Sequence, residues 1–530
     1  MPTNLLSTPT VQPLSRDAAL AALPYRLRPS APFSSTGHVD QTYAPLVEAV
    51  HAYREDDILP FTVPGHKRGR GVATDGDAGL GRQAFRDDIP LAGGADDLQM
   101  TRDVLARAER LAADAFGAYH SFFGVGGSSL SNQIALLSVA GPGDEIVVAR
   151  NAHKSTHAAV ILSGARPVYA HPRYDAALEV AHGVTAADLA ATLDAHPRAR
   201  AAVVVSPTYY GVAADLPALA AVCHTRSIPL IVDEAWGAHF HFHPELPPAA
   251  MAAGADIGVT SIHKVLTGFS QSSILNLRCD RVPYARVAHW AGLLRTTSPS
   301  ALILASIDSC RRDMALHGRE RLTGVMALSA SARATIATLP GLRVLGPEVV
   351  GRPGAAALDM TKLVIDVEET GLSGYAVDAW LRDRWRIAVE LSDHRRILAL
   401  LTVADDANSV GRLLHALAHL GSVAPSAPGA RGACAARPVD PSTLASETVM
   451  TPRAAVDAPS HHRPLADAVG SIAAEMITPY SPGIPIVAPG ERITRPVVEW
   501  LRAGLERGMY VTGAADPSLA TIRVVAEWDG

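Results

Sequence analysis

The sequence predicts an α/β protein built on a mostly parallel sheet with helices on both sides. From about residue 97 to residue 278, short β-branched runs alternate with stretches of helical length, which is the pattern of parallel strands joined by crossover helices. The runs are also apolar on both faces, as expected of strands covered from both sides. The predicted strands are EIVVAR, ARPVYAHP, AAVVVSP, PLIVDEA, DIGVTSI and SSILNLR.

A second, smaller α/β unit is predicted to follow. It contains the strands KLVIDV, RIAVEL and RRILALLTV, a helix around 374–385 and a closing helix around 408–420. Along the whole chain we expect a flexible N-terminal extension, an N-terminal linker segment, a large domain, the small domain, an Ala/Pro/Ser-rich linker and a terminal module. These parts span 1–40, 41–80, 81–314, 315–421, 422–460 and 461–530.

Composition argues against several classes of function. The chain has 530 residues, of which 48% are hydrophobic, and its net charge of −5 gives no basic field for nucleic acid or an anionic membrane. Its four cysteines lack CxxC spacing, so we expect neither a metal site nor a disulfide scaffold. No apolar run approaches the roughly 20 residues that span a bilayer. Because the N-terminus also lacks a secretory pattern, we expect a cytoplasmic protein.

Lysine is scarce, and its positions are the first chemical signal. Of 47 basic residues only four are lysine, and three of these directly follow a histidine. The pairs are His66-Lys67, His153-Lys154 and His263-Lys264. Since arginine supplies positive charge elsewhere, a retained lysine suggests chemistry that arginine lacks. A lysine amine can lose its proton and form a Schiff base, whereas a guanidinium stays charged.

One lysine is predicted to lie beside a carboxylate. The strand PLIVDEA ends in Asp233, and another strand ends 31 residues later in SIHKVLTG, which carries Lys264. In an open α/β sheet, ligands bind at the carboxyl ends of the strands. A lone Asp at a strand end is usually a helix cap or a turn residue. An amine and a carboxylate on neighbouring strand ends, however, are what pyridoxal phosphate needs: a Schiff-base lysine and an acid partner for the pyridine nitrogen.

A turn upstream is a candidate phosphate site. The segment FFGVGGSSLSN places Gly126, Gly127, Ser128 and Ser129 between a predicted strand and a helix. The backbone N–H groups at the start of that helix, with the serine hydroxyls, are suited to a phosphate dianion. The alternative is a Gly-Ser turn that only caps the helix, which is the commoner use of such a turn.

Eight stretches together resemble the Orn/Lys/Arg decarboxylase family. They are FTVPGHKRG, FGVGGSSLSN, RNAHKSTHAA, SPTYYG, DEAWGAH, TSIHKVLTG, LLRTTSPS and PYSPGIPIVAPGE, in the family's order, from about residue 61 to residue 491. The resemblance implies the pyridoxal phosphate-dependent transferase fold type I and a site at the interface of a homodimer or larger assembly. The receiver-like wing of the long bacterial enzymes has no counterpart, so the chain resembles the family's short form.

The resemblance also implies a role for each matching residue. Lys264 would bind the cofactor covalently, Asp233 would pair with the pyridinium, His153 would stack on one ring face and Ala235 would pack on the other. Catalytic roles fall on Lys264, Asp233, His153 and His263. The residues that would contact the phosphate are Ser128, Ser129, Ser261 and His263, joined by Thr296 or Ser298 of a second subunit.

The residues that bind the substrate are harder to predict. Trp236 is either core packing or a wall of the substrate channel. A basic substrate needs an acidic partner, and the candidates are Glu475 and Glu491, with Asp96 and Asp97 behind them. Any of these carboxylates is equally explained as a surface group or a helix cap. The segment RDDIPLAGGADDLQM departs from the family pattern near the substrate entrance, which leaves the choice of amino acid open.

These observations predict decarboxylation of a basic L-amino acid, namely arginine, lysine or ornithine, for polyamine or diamine synthesis. The proton donor to Cα stays open between Lys264, His263 and an ordered water. One alternative is a fold type I aminotransferase or lyase that acts on another amino acid. A second is a catalytically silent, decarboxylase-like regulator. The roles of Lys67 and Lys154 are not assigned.

Overall fold

The computed structural model describes residues 39–56, 58–72, 81–96, 103–420, 444, 446–480, 483–506 and 508–526. Most of the predicted N-terminal extension, Asp97 and most of the predicted linker therefore lie outside the described residues. Within the described part, no helix combines the length and apolarity needed to cross a bilayer.

The main sheet has seven strands, numbered β1 to β7 in chain order. Their spatial order is β1-β7-β6-β5-β4-β2-β3. Strand β7 is antiparallel to β1 and β6, and the other neighbours pair in parallel, which confirms the predicted mostly parallel sheet. The strands are His120–Gly124, Glu145–Ala149, Arg166–Ala170, Ala202–Val205, Leu230–Asp233, Ile257–Ser261 and Ser273–Leu277.

Burial explains why these segments are strands. Every residue of β4, β5 and β6 is buried, and β-branched residues suit a pleated surface packed on both faces. In the parallel ladder, Val205 of β4 lies opposite Asp233 of β5, and Asp233 lies opposite Val259 of β6. This register brings the carboxyl ends of the three strands to one edge of the sheet.

Helices cover both faces of the sheet, as predicted. On one face, Ile134 and Val160 pack in a core with Ile146 and Val203. The opposite face has a core of its own, built on Val147, Val204 and the helices over 186–195 and 216–224. The α-helices, α1 to α14, are Pro45–Glu55, Arg82–Asp87, Val104–Ala115, Gly127–Leu137, Lys154–Ser163, Ala186–Ala195, Leu216–His224, Ile262–Val265, Tyr284–Leu294, Ala301–Ile336, Gly374–Trp380, Ala407–Leu420, Pro452–Asp457 and Arg495–Glu506.

The small domain is a four-stranded antiparallel sheet with the spatial order β8-β9-β11-β10. Its strands are Arg343–Val344, Lys362–Asp366, Leu391–Ser392 and Arg396–Leu400. Helix α10 runs through the predicted boundary between residues 314 and 315. Of the predicted strand over 386–391, only Leu391 is in a strand, because Arg386 takes a left-handed conformation where the preceding π-helix, Leu381–Trp385, ends.

The C-terminal module has its own core, made of two strand pairs and α14. Strands β12 and β15 pair with each other, as do β13 and β14. They are Ser460–Pro464, Thr478–Tyr480, Tyr510–Thr512 and Thr521–Val525. The described end of the predicted linker is folded and not a linker, since α13 lies in it and Arg453 donates to the carbonyls of Ile161 and Leu162.

A single arginine anchors this module on the large domain. Arg150, just after β2, donates to the carbonyls of Pro485 and Ile486, at 2.5 and 3.1 Å, and to Oε2 of Glu491 at 3.1 Å. Glu491 is only 1% exposed. Burial raises the pKa of the Glu491 carboxyl, and the charge of Arg150 opposes that rise. Without Arg150 this carboxylate would lose its cationic partner.

Replacing the anchor is expected to loosen the module. Arg150→Leu removes one partner of a buried pair, which typically costs about 3–5 kcal/mol. We expect faster cleavage within 446–526 in limited proteolysis followed by mass spectrometry. Arg492→Leu is the control, because Arg492 pairs with Glu447 at the surface and such pairs contribute about 1 kcal/mol or less. Equal cleavage rates in the two variants would contradict the anchoring role.

Candidate active site

Asp233 and Lys264 meet at the carboxyl edge of the main sheet. Asp233 is the last residue of β5 and is 4% exposed. Lys264 lies in the single turn of α8, directly after β6. Since β5 and β6 are parallel neighbours, both side chains leave the sheet at the same edge. The structure therefore brings together the two residues on which the predicted cofactor chemistry depends.

Two donors hold the Asp233 carboxylate. The side-chain amide of Asn132 donates to Oδ2 at 2.9 Å, and the backbone N–H of Ala235 donates to Oδ1 at 3.1 Å. Asn132 is 5% exposed. It lies one turn after Ser128 on α4, at the end of the quoted motif GGSSLSN, and its importance was missed in the sequence. The spacing of four residues places Asn132 on the helix face that also carries Ser128, which is the signal that indicates it.

Asn132 also begins a chain of hydrogen bonds to His153. Its amide donates to Oγ of Ser155 at 3.1 Å, and that hydroxyl lies 2.8 Å from Nδ1 of His153. The backbone N–H of Ser155 also donates to Nδ1, so that His153 caps the N-terminus of α5. Because Nδ1 accepts, the proton of the neutral ring lies on Nε2. Asp233 and His153 are thus connected through Asn132 and Ser155.

The imidazole of His153 is uncharged near neutral pH. Burial lowers the pKa of His153 to about 4; the charge of Asp233 opposes this shift, and the charges of Lys264 and Lys154 add to it. The C-terminal module reaches this ring at Gly483, which has a φ of +88°. A Cβ at Gly483 would lie 3.2 Å from Cδ2 of His153, so a larger residue would press on the ring.

Lys264 rests against the indole of Trp236. Its Nζ lies 4.5 Å from the centre of that ring. Burial lowers the pKa of the Lys264 amine; the charges of Asp233 and Glu390 oppose this shift, and the charge of Lys362 adds to it. A lowered pKa increases the fraction of neutral amine, which is the nucleophilic form. Ala235 and Trp236 are both buried beside this pair, at 5% and 7% exposure.

The predicted phosphate turn has donors to offer. Helix α4 begins at Gly127, whose φ of +71° suits glycine, and its capping residue, Gly126, has no side chain to bind the first helical N–H groups. Ser128 is half-buried and Ser129 is exposed. A helix start with such free N–H groups is a favourable place for an anion.

A buried hydroxyl supports the same assignment. Ser261, the last residue of β6, is fully buried, and its Oγ has no hydrogen-bond partner within the described chain. Strand β6 packs against α4. Nδ1 of the adjacent His263 donates to the Ser272 carbonyl at 2.9 Å, and burial lowers the pKa of His263. An unpartnered buried donor is costly unless a ligand binds it, so these residues fit the phosphate of pyridoxal phosphate.

Family comparisons agree with this geometry. The Orn/Lys/Arg decarboxylase major domain matches residues 44–409, and the C-terminal domain of the same family matches residues 441–511. The chain belongs to the Orn/Lys/Arg decarboxylase family. This membership confirms the predicted family and the predicted class of enzyme, a decarboxylase.

Two relatives within the family match almost end to end. The arginine decarboxylase of Halalkalibacterium halodurans is 39% identical over 488 residues, which cover 92% of this chain and 98% of that protein. The arginine decarboxylase of Bacillus subtilis is 38% identical over 489 residues, covering 92% and 99%. The long lysine decarboxylase of Hafnia alvei is 25% identical, with 77% of that protein covered.

Solved structures share the fold. The lysine decarboxylase LdcF of Francisella novicida superposes with a TM-score of 0.78 at 21% identity, covering 92% of this chain and 81% of that one. The constitutive lysine decarboxylase of Escherichia coli gives a TM-score of 0.75 at 22% identity, covering 92% and 82%. These similarities confirm the predicted fold of the decarboxylase.

The acidic side chains predicted to bind substrate are engaged in other contacts. Both oxygens of Glu475 accept backbone N–H groups of the C-terminal module, from Ala515 and Arg523, each at 2.6 Å. Glu491 belongs to the anchor described above. Asp96 accepts the first two N–H groups of α3, each at 3.1 Å, and so is a helix cap. Asp97 lies outside the described residues.

The remaining predicted residues occupy the surface. Thr296 and Ser298 are exposed between α9 and α10, where the Ser298 N–H donates to Oγ1 of Thr296 at 3.2 Å. Lys154 is exposed, and Lys67 donates to the carbonyl of Thr62 within its own turn. Among the residues that the structure describes, no group of three or more His, Cys, Asp or Glu side chains is arranged to hold a metal ion.

The contact between Asn132 and Asp233 yields a test. Asn132→Ala removes a hydrogen bond to a carboxylate, worth about 1.5–3 kcal/mol. If Asp233 acts in the reaction, we expect kcat for decarboxylation to fall roughly ten- to hundredfold. The control is Asn276→Ala, which removes a buried Asn that bonds Ser121 in the same sheet; it should lower stability and keep kcat. An unchanged kcat in Asn132→Ala would show that this contact is only structural.

Proposed function

We propose that the protein decarboxylates a basic L-amino acid, with arginine as the first candidate, and that pyridoxal phosphate is its cofactor. The observation that carries this proposal is the pairing of Lys264 with Asp233, joined to His153 through Asn132 and Ser155. The two relatives that match end to end are named arginine decarboxylases, which favours arginine over lysine and ornithine. The products would be CO2 and the corresponding amine, a precursor for polyamine or diamine synthesis.

Each site residue has a role in this proposal. Pyridoxal phosphate, when bound, supplies a protonated ring that takes up the electron pair released when the bond between Cα and the carboxylate breaks. Lys264 provides the amine that holds the cofactor covalently. Asp233 keeps a negative charge beside the ring nitrogen. The uncharged His153 adds a flat face without a second positive charge, and Ser128, Ser129, Ser261 and His263 are proposed to bind the phosphate.

The proton balance defines what the site must still do. CO2 leaves with its two oxygens, and Cα gains one proton before the amine departs. Lys264 and His263 are the candidate donors from this chain, along with an ordered water. The indole of Trp236 covers one side of the Lys264 amine, which limits the access of water and makes Lys264 the donor that the geometry favours.

A competing proposal is a fold type I aminotransferase or lyase. Such an enzyme needs an arginine that clamps the substrate carboxylate, whereas loss of CO2 requires a carboxylate that is free to depart. A catalytically silent regulator is the other alternative. The close contacts around Asp233, Asn132, Ser155 and His153 disfavour it, since a binding protein would not require them.

We also propose that the site is completed by a second subunit in a homodimer or a larger assembly. Thr296 and Ser298 are exposed at the start of the segment before α10, and Leu293 beside them is 62% exposed. These residues are therefore available to another copy of the chain. A concentration-dependent rise in specific activity, matched by the dimer fraction in sedimentation, would test this.

The substrate test compares three amino acids. Purified protein supplied with pyridoxal phosphate should release CO2 and amine from arginine at a higher kcat/KM than from lysine or ornithine. Lys264→Ala should abolish turnover and leave the circular dichroism spectrum unchanged, while Lys154→Ala, which changes an exposed lysine, should stay active. Release of a keto acid in place of CO2 would favour the aminotransferase, and full turnover by Lys264→Ala would refute the proposal.

Asp233→Asn tests the carboxylate separately. The variant keeps the shape of the side chain and removes its negative charge, so the proton on the ring nitrogen loses its electrostatic partner. We expect kcat to fall by at least about a hundredfold, because a shift of two pKa units corresponds to about 2.7 kcal/mol. Cofactor binding, measured by visible absorbance, should be weakened much less. If kcat matched the wild type, Asp233 would have no part in the chemistry.

A further inference from the structure

Lys362 is the fourth lysine of the chain and the one that does not follow a histidine. It opens β9 in the small domain and is 1% exposed. Its Nζ donates to the carbonyl of Trp236 at 3.1 Å and to Oδ2 of Asp359 at 2.5 Å. The contact with Trp236 crosses from the small domain to the large domain. A buried ammonium thus reaches the backbone of a residue that lines the proposed active site.

Asp359 keeps this ammonium in place. The Asp359 side chain is fully buried, and its Oδ2 also lies 3.1 Å from Nε2 of His239. Oδ1 accepts from Oγ1 and the backbone N–H of Thr361, at 2.7 and 3.0 Å. Burial acts to raise the pKa of the Asp359 carboxyl, but Lys362 and His239 hold that pKa well below its usual range. The pair between Lys362 and Asp359 is therefore ionic.

The indole of Trp236 connects this pair with Lys264. Nζ of Lys264 lies 4.5 Å from the ring centre, and Nζ of Lys362 lies 5.9 Å from it. The ring also contacts Tyr209, with 5.6 Å between ring centres. Trp236 follows Asp233 by three residues. Its carbonyl is held by the small domain while its ring supports the reactive amine of the large domain.

The chemistry of lysine explains why arginine does not stand here. A buried charge is costly and is retained only with good partners. An ammonium is compact and can direct its donors to the Asp359 carboxylate and the Trp236 carbonyl at once, whereas a guanidinium is a wide planar fork. The stem of Lys362 is closely packed, since a Cβ at Gly211 would lie 3.2 Å from its Cδ.

We propose that Lys362 is a positioning residue for Lys264: from the small domain it fixes the Trp236 wall against which the Lys264 amine lies. This inference rests on the proposed function only in that Lys264 is the reactive amine. The charged and titratable groups that face Lys264 are Asp233 at the end of β5, Glu390 before β10, His153 at the start of α5 and Lys362 on β9, with His263 adjacent in the chain.

Removing Lys362 has an effect on Lys264 of known sign. The positive charge of Lys362 lowers the pKa of the Lys264 amine, so Lys362→Met should raise that pKa and decrease the fraction of neutral amine near pH 8. Loss of the Trp236 contact would also free the indole. A shift of half a unit to one unit corresponds to a threefold to tenfold decrease in neutral amine.

The scarcity of lysine makes a direct test feasible. The full chain, freed of cofactor and checked for native circular dichroism, is labelled with a limiting amount of an amine-reactive reagent over a pH series. Mass spectrometry gives the extent of labelling at Lys264, with Lys67 and Lys154 as internal references. We expect Lys362→Met to decrease relative labelling at Lys264 about threefold to tenfold near pH 8 and to move the midpoint of labelling to higher pH.

The matched control removes another buried cation. Arg311 is 1% exposed and pairs with Asp308 on α10, with further bonds to the carbonyls of Gln41 and Tyr43. Arg311→Met should lower the thermal midpoint while labelling of Lys264 stays at the wild-type level. A general loss of packing is thereby distinguished from a specific effect on Lys264.

Two further variants complete the test. If Lys362→Met does not fold, the double variant Lys362→Met/Asp359→Asn removes the unpaired carboxylate and should show the same decrease in labelling. Wild-type labelling of Lys264 in a folded variant would overturn the proposal. Since the reading is made without cofactor or substrate, it stands or falls separately from the decarboxylation assay.

Discussion

Parallel pairing of β4, β5 and β6 is the constraint on which the site depends. Each strand is buried along its full length, so its polar groups can appear only at its ends. The register places Asp233 at the edge where β6 passes into α8, which carries Lys264. A slip of one residue would turn Asp233 to the other face of the sheet. The burial that stabilises the sheet therefore also fixes the geometry of the site.

Charge around Lys264 is arranged from three parts of the chain. Asp233 comes from the main sheet, and Lys362 and Glu390 come from the small domain. Burial is the largest effect on the Lys264 amine, and the neighbouring charges adjust it in both directions. His153 adds no charge near neutral pH, because burial keeps its pKa at about 4. The site thus combines a weakly basic amine with one well-held carboxylate.

The C-terminal module takes part in this arrangement and is not a separate appendage. Arg150 holds the module through Glu491 and two carbonyls, four residues before the helix that His153 caps. Gly483 then lies against the His153 ring, and its carbonyl accepts from the N–H of Lys154 at 3.1 Å. The docking of the module and the orientation of His153 are consequently linked.

The sequence by itself determined the fold class, the family and the pairing of Lys264 with Asp233. These follow from apolar runs, strand ends and short motifs, which are local patterns that survive in one dimension. The tertiary structure decided which carboxylates are structural: Glu475 and Asp96 bind backbone N–H groups, and Glu491 binds Arg150. It also revealed Asn132, Ser155 and Lys362, whose partners lie tens to more than a hundred residues away. Hydrogen bonds over such separations exist only after the chain has folded, because they depend on atomic distances that no local pattern encodes.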